Sequence, residues 1–93
     1  MNRPWDELSL MIMQTWELSD NQLKKTFEFT SFEAAMDFMQ RASLVIATLD
    51  HHPEWTNVYN RVHVSLCTHD AGNVVTPKDY ALAEALDAVF LDA

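Results

Sequence analysis

Apolar residues recur along this chain at two spacings, one typical of helices and the other typical of strands. Near the N-terminus, Trp5, Leu8 and Ile12 recur at helical spacing behind Pro4. Proline suits the first turn of a helix, because its missing N–H would have no intrahelical partner there. The pattern predicts a short helix that ends at about Met13.

Alternation replaces the helical spacing in residues 15–18 and again in residues 23–29. Successive side chains of a strand point to opposite faces, so this pattern predicts two strands with one buried face. The polar residues 19–21 between them predict the turn of a β-hairpin. In the second strand the apolar side comprises Leu23, Phe27 and Phe29, and the polar side comprises Lys24, Thr26 and Glu28.

The longest helical pattern begins at residues 30–33, Thr-Ser-Phe-Glu, which have the form of a capping box. Apolar residues then fall on two sides of the helix, and a helix that is apolar on two sides is usually buried on two sides. We therefore expect one side to pack on the sheet and the other to contact a second subunit. The stripe assigned to the sheet is Phe32, Ala35, Met36, Met39, Ser43 and Ile46, and the stripe assigned to the subunit contact is Phe38, Ala42, Val45 and Leu49.

Pro53 predicts the end of this helix, because proline disfavours helical dihedrals in the residue before it. A short strand is predicted at residues 57–59 and a longer one from residue 61 to about residue 68, before a loop at residues 71–73. Period-two alternation of the longer strand places Val62, Val64 and Leu66 in the core, and His63, Ser65, Cys67 and His69 on the opposite side.

The last helix has a clear start signal. Thr76 is the predicted N-cap, Pro77 occupies the first helical position and Asp79 lies in the first turn. Its core stripe is Leu82, Leu86, Val89 and Phe90. The order α-β-β-α-β-β-α predicts a single α+β domain over residues 1–93, with a four-stranded antiparallel sheet and the helices packed on one face.

Charge and composition narrow the class of protein. The 93-residue chain has a formal net charge of −8 and only six Lys and Arg residues, so we expect no direct binding to nucleic acid. No apolar run approaches the roughly 20 residues of a membrane span, and the acidic start at Asp6 and Glu7 does not fit a signal peptide. Cys67 is the only cysteine, which excludes an internal disulfide and fits a reducing compartment. We predict a cytoplasmic protein without a membrane partner.

All four histidines lie between Asp50 and Asp70. Histidine has an unperturbed pKa of about 6.5, so it can donate or accept a proton near neutral pH. This concentration of histidines indicates proton transfer on a small aromatic or polar ligand, although a His pair before Pro could instead end a helix and begin a turn. Zinc binding is a third reading, but adjacent His51 and His52 cannot easily face one ion, and no His pair has the i, i+4 spacing of a helical site. We expect no metal.

Three short boxes in this region resemble the pterin-4a-carbinolamine dehydratase family. Residues 51–55 read His-His-Pro-Glu-Trp, residues 57–64 read Asn-Val-Tyr-Asn-Arg-Val-His-Val, and residues 68–70 read Thr-His-Asp. One such box is weak evidence, whereas three in the right order at near-matching spacing are strong. The resemblance extends from Trp16 to the last helix, and the family has the α+β architecture predicted above.

The resemblance implies the loss of water from a 4a-hydroxytetrahydropterin, which gives the quinonoid dihydropterin. This reaction needs a general acid for the departing hydroxyl and a base for the neighbouring ring nitrogen, and imidazoles suit both tasks. It needs no cofactor. By resemblance, the catalytic residues are His51, His52 and His69, of which His51 and His69 are the acid–base pair and His52 helps to hold the pterin. The implied substrate-binding residues are Asp50, His51, His52, Cys67, Thr68, His69 and Asp70.

The family context implies a homodimer or homotetramer that acts in tetrahydrobiopterin recycling beside an aromatic amino-acid hydroxylase. The alternative is a non-catalytic interaction module on the same fold, either a transcriptional dimerisation cofactor or an assembly factor. Such a module would be free to lose the histidines, so their presence favours the enzyme.

Several residues of this region have two readings. Asp70 could orient an imidazole or simply end the strand in a turn. His63 lies outside the matched positions and is expected to be a structural or surface residue. Trp55 and Tyr59 could stack on the ligand but are more often core residues at such places, and Trp16 has the better claim to line the pocket.

Two further residues qualify the resemblance. Cys67 is expected to be an ordinary half-buried thiol, since the reaction requires no nucleophile. Ala47 occupies a position where the family often has an acidic residue. If the helix continued to His51, the two positions would share a face, and a carboxylate at position 47 could orient that imidazole.

Overall fold

This computed structural model describes residues 15–92, and the helix predicted for residues 4–13 lies outside them. The described part contains two α-helices, four strands and one short 3-10 turn. The strands are β1 (Glu17–Ser19), β2 (Gln22–Glu28), β3 (Glu54–Val58) and β4 (Arg61–Leu66). The helices are α1 (Phe32–Leu49) and α2 (Pro77–Leu91), and the 3-10 turn (His69–Ala71) follows β4.

The four strands form one antiparallel sheet in the order β1-β2-β4-β3. The β1–β2 turn is made by Asp20 and Asn21, which both have positive φ, 55° and 61°. Tight hairpin turns favour such angles because their twist matches that of the strands, and Asn and Asp tolerate them. The predicted hairpin and the predicted α+β fold are therefore confirmed.

One face of the sheet is covered by the helices. Val62 and Leu66 of β4 are fully buried, and they pair across to Phe27 and Leu23 of β2, which are equally buried. His63 between them points away from the core and is exposed. The predicted alternation of β4 is thus confirmed as far as Leu66. No helix within residues 15–92 has the length and apolarity to span a membrane.

The bounds of the strands differ from the prediction, those of β1 and β2 by one or two residues at each end. β3 begins at Glu54, three residues before the predicted start, so it includes Trp55. β4 ends at Leu66, and Cys67 and Thr68 are both buried. The alternation stops there because the chain folds back on itself, with the N–H of Thr68 donating to the carbonyl of Val74 at 2.9 Å.

The start of α1 also differs in detail. Its N-cap is Ser31 and not Thr30, and the Ser31 hydroxyl accepts from the N–H of Ala34 at 3.1 Å. The third helical position is Ala34, which has no carboxylate to accept from the Ser31 N–H. This helix start is therefore a single cap and not a capping box. At the other end, Asp50 adopts a left-handed conformation (φ 52°) and stops the helix before Pro53.

The stripe of α1 assigned to a second subunit is partly wrong. Phe38 and Ala42 are completely buried within one chain, together with Ala35 and Ile46. The reason is that α2 packs against α1 and brings the Phe90 ring to 6.4 Å from that of Phe38. A second helix of the same chain therefore covers the face that the sequence pattern left without a partner.

The start of α2 agrees with the prediction. The Thr76 hydroxyl caps the helix, and the Asp79 carboxylate accepts a hydrogen bond from the Thr76 N–H. Pro77 occupies the first turn. In the predicted core stripe, Leu82 and Leu86 are fully buried, whereas Val89 and Phe90 are half-buried and pack against the core.

Replacing Phe38 with Ala tests the assignment of this side chain to the core of one chain. We expect the free energy of unfolding to fall by about 3–5 kcal/mol, because a fully buried aromatic ring is lost and a cavity remains. Gln40→Ala is the control, since Gln40 lies on the same helix but its side chain is exposed. It should change stability by less than about 0.5 kcal/mol in urea denaturation, and equal effects of the two changes would contradict the assignment.

Candidate active site

A polar cleft of about 270 Å³ lies at the end of β4, between the α1–β3 loop and the start of α2. It is lined by residues from all three of these segments. Every residue predicted to bind or convert the substrate lies on its wall, namely Asp50, His51, His52, Cys67, Thr68, His69 and Asp70. Pro53, Glu54 and Lys78 complete the lining.

The local backbone separates the two adjacent histidines. The left-handed turn at Asp50 takes the chain out of α1, so His51 and His52 no longer follow the helical direction. The His51 side chain is directed at α2 and is only 12% exposed. His52 is exposed and stands at the mouth of the cleft.

His51 is held by a buried carboxylate from the first turn of α2. Its Nε2 lies 2.6 Å from Oδ1 of Asp79, a side chain that is completely buried. A carboxylate only accepts hydrogen bonds, so the neutral imidazole carries its proton on Nε2. The lone pair on Nδ1 takes no part in the hydrogen bond to Asp79 and can accept a proton from a ligand.

The second oxygen of Asp79 is also fully bonded. Its Oδ2 accepts from the hydroxyl of Thr68 and from the N–H of Thr76, both at 2.8 Å. The Thr68 hydroxyl has one proton, so the Thr76 hydroxyl is the donor in the 2.6 Å contact between the two threonines. This network supports an ionised group in the interior, where an unpaired charge would be costly.

His69 is oriented by a neighbour in its own loop. Its Nδ1 lies 2.6 Å from Oδ1 of Asn73, and an amide oxygen is an acceptor, so Nδ1 carries the proton. Asn73 adopts a left-handed conformation (φ 61°) after Gly72 (φ 92°), which turns its side chain back towards the histidine. His69 therefore presents its Nε2 as the acceptor, whereas His51 presents its Nδ1.

Asp79 is the site residue that sequence reasoning missed. The sequence identified it as a residue of the helix start, and nothing in the spacing connects it to His51, which lies 28 residues earlier. The role suggested for Asp70 is not observed. Across residues 15–92 the hydrogen-bond partners of the imidazoles are Asp79, Asn73 and Thr26, while Asp70 is exposed.

The structure also decides the position of Ala47. Because α1 ends at Leu49, residues 47 and 51 do not share a helix face. Ala47 lies beside His52 and Trp55, in a pocket that His51 does not line. The condition under which a carboxylate at position 47 would orient His51 is therefore not met.

The remaining candidates lie away from the cleft. His63 is on the exposed face of the sheet, where its Nδ1 bonds to the hydroxyl of Thr26 at 2.8 Å, in agreement with the prediction of a surface residue. The expectation that Trp16 lines the pocket is wrong, because this side chain is 1% exposed in the core and donates to Asp87. Trp55 is half-buried against the core, whereas Tyr59 is exposed at the β3–β4 turn.

Cys67 lies in the cleft wall as a buried thiol. Burial raises its pKa, and the nearby carboxylates of Asp79 and Glu54 raise it further. The thiol is therefore protonated near neutral pH, and this disfavours a nucleophilic role.

The side chains of the cleft do not form a metal centre. Within the described residues, no group of three or more His, Cys, Asp or Glu side chains is placed to hold a metal ion. His51 and His69 are each already bonded to a different oriented partner, Asp79 and Asn73.

Comparison with known proteins assigns the chain to a family. The sequence model described as "Pterin 4 alpha carbinolamine dehydratase" matches residues 5–89. The chain belongs to the pterin-4a-carbinolamine dehydratase family. The three histidines and the cleft described above are thus those of a dehydratase-family domain.

Similar members of the dehydratase family come from several bacteria. A protein of Opitutus terrae, provisionally named a pterin-4-alpha-carbinolamine dehydratase, is 48% identical over 83% of this chain and 79% of its own length. A protein of Prochlorococcus marinus with the same provisional name is 46% identical over the same shares. The crystal structure of a transcriptional coactivator/pterin dehydratase from Brucella melitensis superposes with a TM-score of 0.81 at 38% identity, covering 91% of this chain and 90% of that one.

The direction of the Cys67 pKa shift predicts slow alkylation. We expect iodoacetamide to modify the folded protein several-fold more slowly at pH 7 than an unperturbed cysteine with a pKa of about 8.5, because less thiolate is present and access is limited. The rate should rise with pH and on unfolding in urea, followed by mass spectrometry. Rapid labelling of the folded protein at pH 7 would contradict both the burial and the shift.

Proposed function

We propose that this protein dehydrates 4a-hydroxytetrahydropterin to quinonoid dihydropterin by histidine acid–base catalysis, as a step of tetrahydropterin recycling. One observation carries the proposal: three histidines line a single cleft, and a buried carboxylate, Asp79, holds His51 in one tautomer. Membership of the dehydratase family supports the same substrate class.

The proposed reaction is an elimination without a change of oxidation state. The C4a–O bond of the substrate breaks, and the hydroxyl leaves as water after it has received a proton. The N5–H bond gives up its proton to a base, and its electron pair forms the C4a=N5 double bond. One proton is therefore donated and one accepted, so a pair of imidazoles in opposite protonation states suffices.

The surroundings of the two histidines suggest how they divide this work. The base gains a positive charge, and the Asp79 carboxylate stabilises that charge on His51, whose Nδ1 is free to accept. We assign the base to His51. The acid is His69 in its protonated form, whose Nε2–H donates its proton to the leaving hydroxyl and is then restored from water, because this side chain is exposed. His52 at the cleft mouth holds the pterin, and Asp50, Cys67, Thr68 and Asp70 provide the further contacts of the ring.

Removal of the imidazoles tests the catalytic assignment. His51→Ala and His69→Ala should each lower the rate of dehydration by about 10²–10⁴-fold, the usual contribution of a positioned acid or base. The double variant should approach the uncatalysed rate. The measurement is the formation of quinonoid dihydropterin from freshly generated 4a-hydroxytetrahydropterin, with circular dichroism as the check on folding, and full activity of the double variant would refute the assignment.

His63 offers a matched control on the same sheet. It is exposed, bonds to Thr26 and does not line the cleft, so His63→Gln should leave turnover within a few-fold of the parent. A loss as large as that of His69→Ala would show that the active face of the sheet has been misassigned.

The second candidate function is an interaction module without catalysis. The Brucella melitensis protein is described as a transcriptional coactivator/pterin dehydratase, so this fold is associated with both descriptions. The oriented imidazoles of His51 and His69 favour the enzyme, because an interaction surface has no need of two fixed tautomers. An aromatic amino-acid hydroxylase as pathway neighbour and a cytoplasmic location stay predictions.

A homodimer or homotetramer also stays a prediction, and its contact surface changes. On α1 the large apolar side chains that remain accessible include Leu44, 70% exposed, and Leu49, 42% exposed. We expect light scattering at micromolar concentration to give a mass above that of one chain. Leu44→Glu should lower that mass, because a carboxylate buried without a partner is costly, whereas Ala88→Glu on α2 should not. A monomeric mass for the parent protein would contradict the prediction.

A further inference from the structure

A second pocket adjoins the cleft and shares part of its wall. It has a volume of about 290 Å³ and is lined by Ser43, Ile46, Ala47, His52, Pro53 and Trp55. His52 and Pro53 also line the catalytic cleft, so the two spaces are neighbours that share these two wall residues. We call it the side pocket.

We propose that the side pocket is the subsite for the substituent on C6 of the pterin, and that it selects an apolar substituent. This inference rests on the proposed function and deepens it, because it concerns which pterins the cleft accepts.

The position follows from the connectivity of the substrate. C6 is bonded directly to N5, and N5 is bonded to C4a, so any C6 substituent leaves the ring beside the reacting atoms. When C4a and N5 face His51 and His69, the substituent must leave the cleft along its histidine wall. The side pocket lies next to that wall and shares His52 and Pro53 with it.

The volumes support the same arrangement. Pockets that enclose small molecules usually measure about 300–1,000 Å³. The cleft, at about 270 Å³, lies just below that range and is assigned to the fused rings. A substituent of several atoms adds to the volume that the ligand occupies, and the side pocket provides about 290 Å³ beside the cleft.

The lining indicates what kind of substituent fits. Ile46, Pro53 and Trp55 contribute aliphatic or aromatic surface, and the Ala47 methyl leaves open the space that a longer side chain would fill. The Ser43 hydroxyl already donates to the carbonyl of Gln40 at 2.6 Å. Polar groups of a ligand would thus find few partners there, whereas an apolar group would be removed from water.

The test compares two substrates that differ only at C6, the 4a-hydroxy forms of 6-methyl- and 6-phenyl-tetrahydropterin. Ala47→Leu fills the side pocket with a residue of good helix propensity. We expect it to lower the ratio of kcat/KM for the phenyl over the methyl substrate by at least about tenfold, mainly through KM, since a phenyl ring loses its burial. Ala88→Leu, the same change at an exposed position of α2, should keep the parent ratio.

Calorimetry separates this inference from the proposed function. The stable, oxidised ligands pterin and 6-phenylpterin need no turnover, and the parent protein should bind 6-phenylpterin at least about tenfold more tightly. Ala47→Leu should remove that preference. Absence of turnover with both substrates would refute the proposed function, while calorimetry would still decide the subsite.

Three results would overturn the inference. The first is equal affinity of the parent protein for the two pterins, and the second is an Ala47→Leu variant that keeps the preference. The third is a change in the assembly mass of Ala47→Leu without a change in the substrate ratio, because a second copy of the chain would then occupy the side pocket.

Discussion

The buried carboxylate of Asp79 joins three segments that are distant in sequence. It accepts hydrogen bonds from His51 after α1, from Thr68 after β4 and from the Thr76 N–H at the start of α2. Such a group is costly to bury unless all of its bonds are made, so the three segments can pack closely only in the arrangement that supplies these donors. The cleft lies where these three segments meet. The hydrogen bonds of Asp79 therefore cap the start of α2 and also position residues of the site.

An aromatic cluster fixes the packing of the same elements at their other ends. The rings of Phe27, Phe38 and Phe90 lie within 4.8–6.4 Å of one another and connect the sheet to both helices. Functional loops are commonly positioned by such a scaffold of packed elements. His51 and His69 lie on two of these loops, where Asp79 and Asn73 hold them. Each imidazole keeps one nitrogen available to a ligand.

Local sequence was a good guide wherever the deciding interactions are local. The Thr76–Pro77 start of α2 depends on neighbouring residues, and the alternation of β4 reflects the burial of one face. The capping of α1 was assigned one residue too early, because Thr30 and Ser31 offer the same chemistry and only the backbone decides between them. The first and third boxes indicated cleft residues for a related reason, since each lies on one loop or strand end, whereas residues 57–64 belong to the β3–β4 hairpin and do not line the cleft.

The sequence by itself determined the α+β fold, because this follows from periodicity and capping. Its short boxes, through their resemblance to a family, implied seven of the ten residues that line the cleft. Only the tertiary structure decided that Asp79 holds His51, that Trp16 belongs to the core and that α2 covers Phe38. These contacts join residues far apart in the chain. The pattern of polar and apolar positions is compatible with many different pairs of contacting residues, so it does not identify the pair that forms. Packing of the helices on the sheet selects one of them, through the requirement that every buried polar group finds a partner and every large apolar side chain is covered.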